Sequence, residues 1–231
     1  MGIGKTTYPP IQGPVVTFDF TEFATGVGYV SYYGANTREV TTDDYILGVN
    51  ATDQSHWTST AIAMPNDGSK FLDLDFDVQF LVAADIQGLM RANLTLGAHQ
   101  TSSTSDNSWS MNAIVKLRKW DGSTETEIAN ATTATLSATN GELSAGQFKS
   151  KMMAVELDAT SAPTHFGRGD VLRVTVEVYG TVINTRAAGG IGHDPLNRDD
   201  TDEDNSNSTQ IIKDADNTNL IFQIPFRNSD T

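Results

Sequence analysis

Val171-Leu172-Arg173-Val174-Thr175-Val176-Glu177-Val178-Tyr179 (171–179) decides how this chain is read. Leu172, Val174, Val176 and Val178 fall on one side of an extended chain, and Arg173, Thr175, Glu177 and Tyr179 on the other. Period-two alternation of this kind marks a strand with one face in a core and one in water. The same pattern recurs in Phe71 to Val82, where Leu72, Leu74, Phe76, Val78 and Phe80 oppose Asp73, Asp75, Asp77 and Gln79.

Working outward, the turn His165-Phe166-Gly167-Arg168-Gly169-Asp170 precedes this strand. After it come a glycine-rich corner, Gly189 to Pro195, and a polar run from Asp199 to Thr209. Alternation then resumes in Leu220 to Phe226. Upstream, Val15 to Phe20, Gly28 to Gly34, Arg38 to Val49, Ala92 to Ala98 and Lys151 to Leu157 read as further strands, with Asp43-Asp44 as a turn. Met111 to Trp120, Asp121-Gly122 and Ser123 to Ala129 read as a β-hairpin, because Asp-Gly supplies the positive φ angles of a tight primed turn. Thr132 to Gln147 reads as an extended loop that has room for a short helix near Ser144 to Lys149.

About eight to ten strands with no amphipathic helix and no repeat predict an all-β fold, an antiparallel two-sheet sandwich of jelly-roll type. An immunoglobulin-like sandwich is the nearest competitor; the chain lacks its cysteine pair, having no cysteine at all. Pro9, Pro10 and Pro14 disfavour helix, so residues 1–14 are expected to form an extended arm, with residues 15–231 as one β-sandwich domain.

The 15 basic and 29 acidic residues give a net charge of −14, which argues against a grip on nucleic-acid phosphates or an anionic membrane. The absence of cysteine removes disulfides, thiolate metal sites and thiol nucleophiles together. Met1 to Pro10 lacks the apolar stretch of an export signal, and no apolar run approaches the roughly 20 residues of a membrane-spanning helix. The expectation is a soluble protein made in the cytoplasm.

Candidate sites are few. Gly4-Lys5-Thr6 matches the end of a phosphate-binding loop without the preceding glycine and strand that the motif needs. Asp73, Asp75 and Asp77 alternate along a strand, about 7 Å apart, which suits a solvated face better than one ion. Asp200, Asp202 and Asp204 match the first ligand positions of a calcium loop; Asn205 stands where that loop needs glycine and Ile211 where it needs glutamate, so a looser Ca²⁺ site is what remains. The histidines, His56, His99, His165 and His193, have no metal-ligand spacing. Arg168-Gly169-Asp170 spells an integrin-binding tripeptide and is also ordinary turn chemistry. Asn50, Asn93, Asn130 and Asn207 open glycosylation sequons. No nucleophile elbow is present, and the expectation is that the chain is not an enzyme.

Phe166-Gly167-Arg168-Gly169-Asp170-Val171-Leu172-Arg173-Val174, Gly192-His193-Asp194-Pro195 with Asn197-Arg198, the closing Ile224-Pro225-Phe226, and the opening Thr7-Tyr8-Pro9-Pro10 resemble a group of structural proteins of tailed bacteriophages, especially marine ones. The resemblance covers the two ends, about a third of the chain. It implies a virion component with a jelly-roll domain, a capsid decoration or minor capsid protein. Its partners would be the major capsid protein or other virion proteins, and it would assemble as a homo-oligomer, a trimer being favoured. The competing expectation is a carbohydrate-binding module, which would display two of Trp57, Trp109 and Trp120 exposed and coplanar on one concave face.

Overall fold

Apolar side chains at alternate positions need a second layer to cover them, and the chain supplies that layer from its own strands. The computed structural model describes residues 27–38, 43–51, 61–101, 108–184, 187–193 and 220–227, and every regular element in them is a strand. They are β1 (Val27–Arg38), β2 (Asp43–Gly48), β3 (Ile62–Ala63), β4 (Lys70–Gln79), β5 (Ala84–Gln100), β6 (Trp109–Trp120), β7 (Glu125–Thr132), β8 (Leu136–Ala138), β9 (Phe148–Phe166), β10 (Val171–Val182), β11 (Ala187–Gly192) and β12 (Leu220–Arg227). The chain is all-β, as its alternation requires. The expected arm, residues 1–14, and the strand expected at Val15 to Phe20 lie outside the described residues.

The strands run in the order β3-β11-β5-β12-β1-β2-β4-β10-β6-β7, with β8 added to β6 and β9 to β5. Long strands change partners along their length. β1 pairs with β12 up to Tyr33 and with β2 from there on, while β5 carries β9 on one edge and β12, then β11, on the other. This lets the sheet double back. Phe76 of β4 and Phe80, just after it, meet Phe222 and Phe226 of β12 with ring centroids 6.2 and 5.9 Å apart, although β4 and β12 are not neighbours in the sheet. The result is two layers over a shared core, consistent with a β-sandwich. One described pair, β2 with β4 at Ile46 and Asp77, is parallel, which amends the purely antiparallel expectation, and the strand order does not establish jelly-roll connectivity.

The core is one contiguous cluster. Met90, Ala92, Leu94 and Leu96 of β5, Leu157 of β9 and Phe222 and Ile224 of β12 face Phe76 of β4, Val115 and Leu117 of β6 and Leu172, Val174, Val176 and Val178 of β10. Burying each large side chain here contributes roughly 1.5–3 kcal/mol before chain entropy is set against it.

Local readings are revised in four places. The hairpin between β6 and β7 exists, but pairing closes at Trp120 and Glu125, so its loop is Asp121 to Thr124 and not a two-residue turn. Asp121 Oδ1 accepts the backbone N–H groups of Ser123 and Thr124 at 2.9 and 2.8 Å, and Gly122 takes a φ of 94°. Asp43-Asp44 begins strand β2 instead of making a turn. The stretch from Thr132 to Gln147 holds the short strand β8 and turns, with no helix at Ser144 to Lys149. The glycine-rich corner is in fact a buried strand, β11: a Cβ on Gly189 would stand 2.7 Å from Met64 Cε and 3.3 Å from Gly97 O, so a larger residue there would push the Met64 side chain aside and crowd the β5 backbone.

Candidate interaction surfaces

The outward residues of β4, β6 and β10 are mostly charged or polar, and opposite signs meet within and between the strands, some across the register and some diagonally. Arg173 lies beside Asp77, Thr175 beside Asp75 and Glu177 beside Asp73. Arg173 donates from Nε and Nη2 to the two carboxylate oxygens of Asp77 at 2.8 and 2.7 Å, a bidentate fork, and from Nη1 to Glu125 at 3.1 Å. Hydrogen bonding to Asp77 holds its guanidinium above the ordinary arginine range. Thr175 Oγ1 donates to Asp75.

Glu177 is the centre of this network, only 5% exposed. Its carboxylate takes Lys116 Nζ at 2.8 Å, Lys70 Nζ at 3.2 Å and the Tyr179 hydroxyl at 3.0 Å. Burial pushes its pKa up, but these bonds outweigh burial and bring it down to about 2. Asp73, Asp75 and Asp77 lie on the solvated face expected of them, each side chain partly exposed, and are tied into pairs there: Asp75 and Asp77 with Arg173 of the next strand, Asp73 with Lys70 of its own strand at 2.6 Å.

The other outer face, on β5, β9 and β12, is built differently. Register aligns Glu156, Arg91 and Gln223 in one row and Ala154, Asn93 and Ile221 in the next. A shallow groove of about 330 Å³ opens there, lined by Arg91, Asn93, Ala154, Val155, Glu156 and Gln223. Arg91 Nε donates to Glu156 Oε1 at 3.1 Å, with both side chains well exposed. Neither the Asn93 nor the Gln223 amide has a protein partner among the described residues. Leu89 and the more exposed Met152 stand on the same face.

A third feature is the tip between β4 and β5, where Leu81 and Val82 are 59% and 70% exposed. The tip is braced from below. Phe80 N–H donates to Asp170 O and Gly169 N–H to Phe80 O, each at 2.8 Å, while the Phe80 ring lies 4.9 Å from that of Phe166. Gly169 has a φ of 96°, a conformation that costs other residues about 1 kcal/mol or more. Asp170 of the Arg168-Gly169-Asp170 tripeptide turns inward: its Oδ2 accepts Gly167 N–H at 2.7 Å and pairs with Lys119 at 2.8 Å, and Lys119 holds its pKa low. Beside it His165 Nδ1 lies 2.7 Å from Asp85 Oδ1.

The remaining sequence candidates do not converge. Asp200, Asp202 and Asp204, like Gly4-Lys5-Thr6, His56 and Asn207, lie outside the described residues, and no group of three metal-ligating side chains occurs among those described. His99 is buried on β5, and burial lowers its pKa. His193 packs in the core against Tyr45, ring centroids 5.7 Å apart. Trp109 is a core residue and Trp120 ends β6 partly covered, so no exposed tryptophan pair occurs among the described residues; Trp57 lies outside them. Asn130 donates to Glu127 at 2.6 Å, and Asn93 lines the groove. Sequence reasoning missed the groove itself; its only trace was the outward parity of Arg91 and Asn93 within an apolar stretch.

No protein-family model matches the chain, and no curated protein matches it. Among solved structures, it is similar to a CocE/NonD family hydrolase from Staphylococcus aureus, with 12% identity, a TM-score of 0.45, and coverage of 87% of this chain and 37% of that one. It is similar to an aminopeptidase from the marine sediment archaeon Thaumarchaeota archaeon, with 12% identity, a TM-score of 0.44, and coverage of 85% of this chain and 37% of that one. A structure of infectious bursal disease virus, Gx strain, matches with 12% identity, a TM-score of 0.29, and coverage of 85% of this chain and 41% of that one. The chain thus spans a little over a third of the length of the hydrolases. The expectation that the chain is not an enzyme is contradicted by this comparison, in which hydrolases stand among the similar structures beside chains of infectious bursal disease virus.

Proposed function

We propose that this chain is a structural protein of a virus particle, of the capsid decoration or minor capsid type that its two end segments resemble. The observation that carries the reading is the tip between β4 and β5. Leu81 and Val82 are the most exposed large apolar side chains of β4, β5 and their junction, and they sit on a braced turn. Apolar groups held rigidly in water are stabilised by burial against another surface, and a rigid tip loses little entropy on docking. The partner is the major capsid protein or another shell component, and the chain assembles as a trimer.

The test is co-sedimentation of the purified chain with particles of the encoding virus that lack it, together with native mass spectrometry of the free protein. Stoichiometric binding, abolished by the double substitution Leu81→Asp and Val82→Asp while the melting temperature holds, is expected. Failure to bind any particle fraction would sink the proposal.

A further inference from the structure

The groove on β5, β9 and β12 offers more hydrogen-bonding capacity than the protein uses. Arg91 spends Nε on one oxygen of Glu156, leaving its two Nη groups, the other Glu156 oxygen and the amides of Asn93 and Gln223 around one opening. We propose that this groove is a binding site for a neutral saccharide, a mono- or disaccharide unit.

Three observations point to that chemistry. Each sugar hydroxyl both donates and accepts, so its site needs donors and acceptors interleaved, and guanidinium, carboxylate and two amides supply both kinds within one groove. The only charges in the lining, Arg91 and Glu156, are already paired with each other at 3.1 Å, so a phosphate or an acidic peptide meets the carboxylate and a cation meets the guanidinium. The groove also lies on a sheet face and not at an edge: β5 is paired with β9 through Arg91 and Glu156 and with β12 through Arg91 and Gln223. An extended peptide therefore has no free β5 backbone to join as an added strand, and recognition falls to side chains. The volume of about 330 Å³ sits at the low end of the roughly 300–1,000 Å³ of ligand sites, and the small Ala154 leaves room for the apolar side of a pyranose ring.

The inference stands apart from the virion reading and is tested separately. Uniformly ¹⁵N-labelled chain is titrated with the methyl glycosides of glucose, galactose, mannose and N-acetylglucosamine, with inorganic phosphate and tetra-alanine as controls. The side-chain amide signals of Asn93 and Gln223 are expected to move saturably with at least one glycoside, at a Kd on the order of 1 mM, and the double variant Asn93→Ala, Gln223→Ala to weaken binding at least about tenfold with its melting temperature unchanged. The Leu81→Asp, Val82→Asp protein should bind the same glycoside as the parent. Amides that ignore every glycoside, or that answer equally to phosphate or to tetra-alanine, would overturn the proposal.

Discussion

The outer face of β4, β6 and β10 and the outer face of β5, β9 and β12 draw on similar residues, yet one is closed and the other open. On the first, Glu177 lies among Lys70, Lys116 and Tyr179, and Arg173 reaches three carboxylates, those of Asp77, Asp75 and Glu125. On the second, at the groove, Arg91 and Glu156 form one exposed pair beside two amides that have no protein partner among the described residues. The difference lies in how many strands contribute charge at one level. Where several strands bring partners of opposite sign within reach of one buried carboxylate, as Lys70 and Lys116 do for Glu177, the head group is held by more than one other, which is the condition under which ion pairs contribute measurably. At the groove, where the Arg91 to Glu156 pair stands alone, the side chains stay free to meet something else.

The comparison can be broken most forcefully at Glu177. Replacing it with alanine leaves Lys70 and Lys116 facing each other without their shared carboxylate and should cost about 3 kcal/mol in urea unfolding. A loss below about 0.5 kcal/mol would show that the network is no stronger than a surface pair. Acid probes the same group without mutation. Because folding lowers the Glu177 pKa from an ordinary 4.5 to about 2, its stabilisation is complete above about pH 4.5 and disappears as pH falls through about 2. The parent protein should lose melting temperature over that window, and Glu177→Gln should lose less.

Arg173→Lys keeps the charge and removes the fork to Asp77, and a loss of about 1 kcal/mol is expected from the same unfolding measurement. The smallest effect belongs to the open face: Arg91→Ala should change stability by less than about 0.5 kcal/mol, and a larger change would mean that the Arg91 to Glu156 pair holds β5 and β9 together.

Much of this was legible in the alternation of β4 and β10, which assigns Phe76 and Val176 inward and Asp75 and Thr175 outward as the structure has them. The longest strands were not. Toward its end β5 is buried on both faces, from Leu94 to Gln100, so the polar half of its pattern fades and Ala92 to Ala98 reads as a fragment. In β9 the exposed Lys151 and Met152 break the alternation. The β11 glycines read as a corner because their setting, with Gly189 packed close to Met64 and Gly97, depends on strands far away in sequence. The groove was hidden for the same reason, since Arg91, Glu156 and Gln223 become neighbours only through pairing.

The pairing of β1 with β12 joins Val27 to Arg227. Strand β12 also supplies Gln223, so the layer that bears the groove waits for the end of the described chain before it can close. Contacts at such sequence separation place the protein among slow folders, on the millisecond-to-second scale of all-β domains. During synthesis β1 and β5 would leave the ribosome well before the strand that lies between them, with apolar edges exposed to other chains. Refolding at low concentration should then give a higher yield than refolding at high concentration, because the interval before β12 arrives is when copies can pair with one another.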